Sequence, residues 1–277
     1  MMLNNQVTVS TEWLAAHRKD TNLVLLDASM PLPGQAASPD LCCIAGALRF
    51  DIDKVVCQPH SPLPHTMPDA SLFAQLVGEL GIDNNSLIVV YDNIGLYSAP
   101  RAWWMFKCMG HDKVYVLDGG LPKWQAESGA LANEYALPGQ GKLYQAQLQE
   151  NALITAEQLL AVSGQGDYLV LDARSAGRFE GTQPEPRAGL RSGHIPGSAN
   201  LPFTLLQEQG CLLPPAQLQE QFQAQGLTQE KQLVCSCGSG VTACVLLMAA
   251  YACGHRNLTL YDGSWTEWGA RADLPVA

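Results

Sequence analysis

One cysteine stands where the chain passes from an apolar run into a turn of glycine and serine. Gln232-Leu233-Val234-Cys235-Ser236 is followed by Cys237-Gly238-Ser239-Gly240-Val241-Thr242 and then by an Ala-rich apolar stretch ending at Cys253-Gly254. The first run reads as a short buried strand. The stretch from Val241 to Cys253 reads as a helix that Gly254 stops by taking the left-handed conformation. Two glycines flanking a serine leave little side-chain bulk, so backbone N–H groups can converge on one concavity. The helix start adds unpaired N–H groups and the positive end of its dipole. An anion at the Cys237 sulfur, whether thiolate or a terminal sulfur carried on it, suits that place, and the hydroxyls of Ser239 and Thr242 add donors. The competing reading is a structural cysteine buried at a strand end, since free cysteine is among the most buried residue types. Cys244 and Cys253, inside the apolar stretch, read as core. Cys235, two residues before Cys237, points to the opposite side of its strand.

A second stretch, Ala173 to Pro202, holds Arg174, Arg178, Arg187 and Arg191 among glycines and prolines. These punctuate a shaped loop. An arginine fork recognises a carboxylate or keto acid by paired hydrogen bonds. The plainer alternative is a solvated loop whose arginines pair with Glu180 or Glu185. His194-Ile195-Pro196-Gly197 reads as a turn, with His194 structural.

The elements that must hold these residues recur once along the chain. Leu23-Val24-Leu25-Leu26-Asp27-Ala28 is matched by Tyr168-Leu169-Val170-Leu171-Asp172-Ala173, Leu87 to Asp92 by Gln232 to Cys237, and Val114 to Gly119 by Leu258 to Gly263. The offset stays at 144 or 145 residues, which signals a duplicated domain rather than a solenoid. Short apolar strands alternate with helical segments at Asp69–Leu80, Ser98–Met109, Thr155–Val162 and Pro215–Gln225. This is the pattern of an α/β fold, a parallel sheet with helices on both faces in each half. The expected division is 1–135 for the first domain, 136–150 for a polar linker and 151–277 for the second domain. Ligands in such folds bind beyond the carboxyl ends of strands, where Cys237 lies. The counterpart of Cys237 in the first half is Asp92, a poor nucleophile, so the first half is expected to be catalytically silent.

Composition narrows the function. The 277 residues are 47% hydrophobic with a formal net charge of −10. That charge disfavours nucleic acid or an anionic membrane as the main partner. Nine cysteines without C-x-x-C spacing fit free thiols in a reducing cytoplasm rather than a zinc site. The opening MMLNNQVTVS has neither the basic nor the apolar region of a signal peptide. The longest apolar run is too short to span a bilayer.

Taken together, the two matched halves, the silent first half and the Cys237–Thr242 loop resemble the tandem rhodanese-family sulfurtransferases. Neutral Gly238-Ser239 is similar to the branch that uses 3-mercaptopyruvate; the thiosulfate-preferring branch typically carries basic residues there. Arg178-Phe179 through Pro184-Glu185-Pro186-Arg187 and the closing Tyr261-Asp262-Gly263-Ser264-Trp265-Thr266-Glu267-Trp268 are similar to the same branch. The resemblance implies two rhodanese-like domains and a Cys237 that takes sulfur from 3-mercaptopyruvate, releasing pyruvate. It implies that Arg178 and Arg187 hold the substrate, and that Gly238, Gly240, Val241 and Thr242 cradle it. It further implies a proton relay of Ser239 with Asp53 and His65 from the first half, and a cyanide or thiol acceptor, thioredoxin included. No metal or organic cofactor is required. One departure is Cys43-Ile44-Ala45-Gly46, where the family often has His-Ile-Pro-Gly. Three other readings compete: a thiosulfate sulfurtransferase, a cysteine-loop phosphatase, and a non-catalytic sulfur-relay or binding module. The phosphatase would need an arginine where this chain has Ala243.

Overall fold

The computed structural model describes residues 6–36 and 40–277; residues 1–5, part of the stretch tested for a leader, lie outside the described residues. The chain separates into two compact units. One gathers the residues up to Pro59 with Met67–Gln149 and Gln209–Leu212; the other gathers His60–Thr66, Glu150–Glu208 and Leu213–Ala277.

Each unit is built on a five-stranded parallel sheet. In the first, the order across the sheet is Thr8–Val9, Val114–Leu117, Leu87–Tyr91, Leu23–Asp27, Leu48–Arg49. In the second it is Leu153–Ile154, Leu258–Tyr261, Gln232–Ser236, Tyr168–Asp172, Ala199–Asn200. The two orders correspond strand for strand, as the repeat predicts. The central strands are apolar without alternation because both faces are covered. Val89 and Tyr91 pack with Leu25, Leu117 and Trp124 on one face, while Ile88 and Val90 are buried on the other. Val234 and Tyr261 do the same with Trp265 and Trp268 in the second unit.

The expected helices are present as Ala70–Glu79, Ala99–Cys108, Ala156–Val162 and Pro215–Ala224. Thr155 and Gln158 form the reciprocal cap, and Pro100 occupies the first turn of its helix. The helix after Cys237 runs over Ala243–Ala252, two residues later than the Val241 start expected from the sequence. Gly254 stops it with a φ of 91°. Every residue from Ala243 to Ala250 is buried, so this helix shows no amphipathic stripe. Cys244 lies in that core, but Cys253 is a half-buried C-cap rather than a core residue.

The stretch 136–149 lies along the first unit. Lys142 N–H donates to the Gly78 carbonyl and Gln149 N–H to that of Cys108, and Tyr144 packs against Phe73, Phe106 and His111. Among the described residues, no helix is long and apolar enough to cross a membrane.

Candidate active site

Cys237 is 2% exposed and follows the central strand Gln232–Ser236 directly. Its loop is pinned from below by the start of the Ser264–Trp268 helix. Trp265 N–H donates to the Cys237 carbonyl at 2.9 Å, and Thr266 donates to the Gly238 carbonyl from both its N–H, at 2.9 Å, and its hydroxyl, at 2.6 Å. Ser264 completes the clamp. Its Oγ accepts from the N–H of Cys237 at 3.1 Å and of Gly240 at 3.0 Å, and donates to the Tyr261 carbonyl at 2.9 Å. Ser264 holds a φ of 51°, which costs a residue with a side chain about 1–2 kcal/mol. Three hydrogen bonds of about 1 kcal/mol each offset that cost.

Of the residues expected to form the cradle, Gly240 has its N–H taken by Ser264. The N–H groups of Gly238, Ser239, Val241, Thr242 and Ala243 meet no protein acceptor among the described residues. Unpaired donors at a helix start in a buried setting are the ingredients of an anion site. The Ser239 side chain, 9% exposed, makes no hydrogen bond to a described residue, and the Thr242 hydroxyl does not cap its own helix.

The first unit displays what this type of loop does when an anion is built in. The Asp92 carboxylate, fully buried, accepts five backbone N–H groups. Ile94 and Gly95 donate to Oδ1 at 2.9 and 2.7 Å. Tyr97, Ser98 and Ala99 donate to Oδ2 at 2.9, 2.9 and 2.8 Å. The predicted match of Asp92 with Cys237 thus has a physical content: one half fills its cradle with a carboxylate, the other with a sulfur.

The arginine loop separates into distinct parts. Arg174 is buried, its guanidinium bonded to Asp172 at 2.7 Å, to Glu185 at 2.7 Å and to the Gly193 carbonyl at 2.9 Å. It stacks 4.3 Å over the Trp265 ring. Burial works against its charge, but Asp172 and Glu185 outweigh burial and hold its pKa above the ordinary value. Arg191 is spent on carbonyls, including those of Leu274 and Trp268, both at 2.8 Å. Arg178 reaches the cysteine loop. Glu185 holds it by two bonds, 2.5 Å from Nη2 and 3.2 Å from Nε, and a Cβ added at Gly238 would stand 3.1 Å from Arg178 Nη2. Arg187 is half-buried and makes no ion pair or hydrogen bond with described residues. The pairing with Glu185 weighed from the sequence is therefore correct for Arg174 and Arg178 and wrong for Arg187. His194 is structural as expected, with Nδ1 2.9 Å from the Phe179 carbonyl and its ring stacked on Phe179.

The two remaining candidates fall in different units. His65, 6% exposed with a φ of 58°, lies in His60–Thr66, which groups with the unit carrying Cys237. Asp53 is half-buried in the other unit, its carbonyl accepting from the Cys57 thiol at 3.3 Å. Ser264 was missed by sequence reasoning. It sits in an Asp-Gly-Ser-Trp turn, and its pairing with two loop N–H groups 24 and 27 residues away has no local signal.

Comparison with known proteins places these features. The model of the rhodanese-like domain matches twice, at residues 10–127 and 155–271. A mitochondrial thiosulfate/3-mercaptopyruvate sulfurtransferase of Arabidopsis thaliana is 40% identical over 98% of this chain and 78% of its own length. The 3-mercaptopyruvate sulfurtransferase of Rattus norvegicus is 43% identical over 95% of this chain and 92% of its own. Among solved structures, SseA from Escherichia coli, described as having the rhodanese fold of 3-mercaptopyruvate sulfotransferases, superposes with a TM-score of 0.84 and 37% identity. It covers 94% of this chain and 99% of its own.

Proposed function

The chain belongs to the rhodanese-like sulfurtransferases, and on that premise we propose that it moves the sulfur of 3-mercaptopyruvate to an acceptor through a persulfide on Cys237. The observation that carries this reading is the placement of Arg178 over Gly238, beside a buried cysteine whose loop keeps unspent N–H donors. The Cys237 thiolate attacks the substrate sulfur. The carbon–sulfur bond breaks with its electron pair going to carbon, which takes up the proton the substrate thiol gave up, and pyruvate leaves. The outer sulfur of the new persulfide carries the negative charge, and preorganised N–H donors stabilise it without reorganisation. Arg178 and Arg187 hold the carboxylate and carbonyl of the substrate, Arg187 with a guanidinium that meets no partner among the described residues. Gly238 supplies the space for Arg178, and the backbone of Val241 and Thr242 cradles sulfur. Gly240 shapes the turn with a φ of 75°. Ser239, with its unbonded hydroxyl, passes the proton, supported by Asp53 and His65.

A cyanide or thiol acceptor, a protein thiol such as thioredoxin among them, then takes the outer sulfur and restores the thiolate. Nine free cysteines suit a reducing compartment, and we place the protein in the cytoplasm. A second reading, thiosulfate as donor, draws on the double name of the Arabidopsis relative; neutral Gly238-Ser239 argues for the keto acid.

Intact-protein mass spectrometry after mixing with 3-mercaptopyruvate or thiosulfate separates these readings. Wild type is expected to gain one sulfur, mainly from 3-mercaptopyruvate, and Cys237→Ser none. Gain mainly from thiosulfate would reverse the donor. Equal gain in Cys237→Ser would remove Cys237 from the mechanism.

A further inference from the structure

The two cradles of this chain are not equal, and the difference lies in one hydroxyl. Between the central strand and its helix the first unit has seven residues, 92–98, and the second has six, 237–242. Aligned from the strand, Ile94 and Gly95 match Ser239 and Gly240. Aligned from the helix, Tyr97, Ser98 and Ala99 match Val241, Thr242 and Ala243. The helix-side match is supported by the bond from Arg101 N–H to the Ser98 carbonyl, repeated as Val245 to Thr242. The Asp92 carboxylate thus defines two anion positions, one loop-side with two donors and one helix-side with three.

A persulfide has one outer atom where a carboxylate has two, each two bonds from Cβ. It can fill only one position. In the second unit the helix-side donors, Val241, Thr242 and Ala243, meet no protein acceptor among the described residues. The loop-side pair is broken, because the Gly240 N–H donates to Ser264 Oγ. In the first unit the residue matching Ser264 is Gly120, with the same left-handed backbone, φ 53° against 51°. A Cβ there would stand 2.5 Å from the Asp92 carbonyl oxygen and 3.0 Å from the Gly95 Cα. The half that needs both anion positions has no side chain at this point. The half that needs one has a hydroxyl that closes the other.

We propose that Ser264 is a positioning residue, which directs the outer sulfur of the Cys237 persulfide to the helix-side donors by withdrawing the Gly240 N–H from the cradle. This rests on the persulfide reading given above. The Ser264 hydroxyl bonds the backbone of Cys237, Gly240 and Tyr261, and acts on the cradle through the first two.

The test is amide nuclear magnetic resonance of the full chain before and after loading with 3-mercaptopyruvate, in wild type and in Ser264→Gly, combined with the rate of persulfide discharge to cyanide. In wild type, loading is expected to move the amides of Val241, Thr242 and Ala243 and leave that of Gly240 nearly still. In Ser264→Gly, which adopts the residue the first unit uses, the Gly240 amide is expected to join them. Discharge should slow about tenfold, as a displaced reacting atom does, with KM for 3-mercaptopyruvate unchanged. Ser264→Ala, which removes only the hydroxyl, gives the same answer by a second route. A purely structural role would lower melting temperature and loading without changing which amides respond. A Gly240 amide that moves in wild type as far as its neighbours, or stays still in both variants, overturns the proposal. Wild type that takes up no sulfur overturns the persulfide reading itself, and is seen before any variant is made.

Discussion

Replacing Gly238 with alanine isolates what the missing side chain contributes. The φ of Gly238 lies outside the left-handed region and its neighbours on one side are only the Arg178 guanidinium, with Nη2 3.1 Å from the position of a new Cβ. Ordinary contact begins a few tenths of an ångström further out, so the guanidinium must move by that amount. It is a flexible side-chain end, and the fold does not resist. Its bonds to Glu185, 2.5 Å and 3.2 Å, set the position it must leave. A charge-assisted hydrogen bond contributes about 1.5–3 kcal/mol, and with 22% of the Arg178 side chain exposed the low end applies. Halving the bond to a substrate carboxylate then costs about 1 kcal/mol, roughly fivefold in KM. Because that contact is present in ground and transition states alike, kcat should stay within about twofold. Stability should hold or rise by about 0.4–1 kcal/mol, since alanine restricts the unfolded chain. Steady-state kinetics with 3-mercaptopyruvate and urea denaturation measure both. An unchanged KM would show that Arg178 does not hold the substrate from this position. A loss of several kcal/mol of stability would show that Gly238 is fixed by the backbone and not by the arginine.

Two further predictions concern the frame. Arg174→Met leaves Asp172 and Glu185 buried with an unbalanced charge and should cost about 3–5 kcal/mol, whereas Arg187→Met should stay within about 0.5 kcal/mol; urea midpoints of the two variants decide. His111 is buried against Tyr144 with Nε2 3.0 Å from the Ser86 carbonyl, and burial lowers its pKa below the ordinary 6.5. As pH falls through about 6.5 the unfolded chain takes up a proton that the folded one refuses, so stability drops there; the drop between about pH 7 and about pH 5.5 should shrink in His111→Gln, and an identical drop in both proteins would exclude His111 as its source.

Much of the fold is legible because hydrophobic runs and punctuation agree. Leu87–Tyr91 and Gln232–Ser236 announce buried strands by continuous apolar character, and Gly110 and Gly254 mark helix ends with φ of 86° and 91°. The helix start at Ala243 is not legible, because Val241 is as apolar as the helical residues after it, and backbone geometry rather than composition sets the boundary. The arginines show the deeper limit. Arg174, Arg178, Arg187 and Arg191 look alike in sequence, but Glu185 and a set of carbonyls divide them into a buried strut, a held fork, a cation unpaired among the described residues, and a clamp. Those assignments depend on contacts that no spacing encodes.

The duplication also bears on why the proposed sulfur carrier lies in one half alone. A cradle of five N–H groups around a buried carboxylate leaves no vacancy for a second anion, and Asp92 cannot leave because it is part of the chain. The first unit is thus closed to this chemistry by an internal occupant and not merely by want of a thiol. Asp92→Cys would empty that cradle and supply a thiol, yet alone it should not create a second sulfur carrier. The stretch that follows the matching strand in the first half, 28–48, contains no arginine to hold a substrate as Arg178 and Arg187 are proposed to do. Sulfur loading of Asp92→Cys in a Cys237→Ser background, read by intact mass, should therefore remain at zero. A gain of one sulfur there would mean that the cysteine and its N–H groups suffice, and that the arginine fork is not needed for the first half of the reaction.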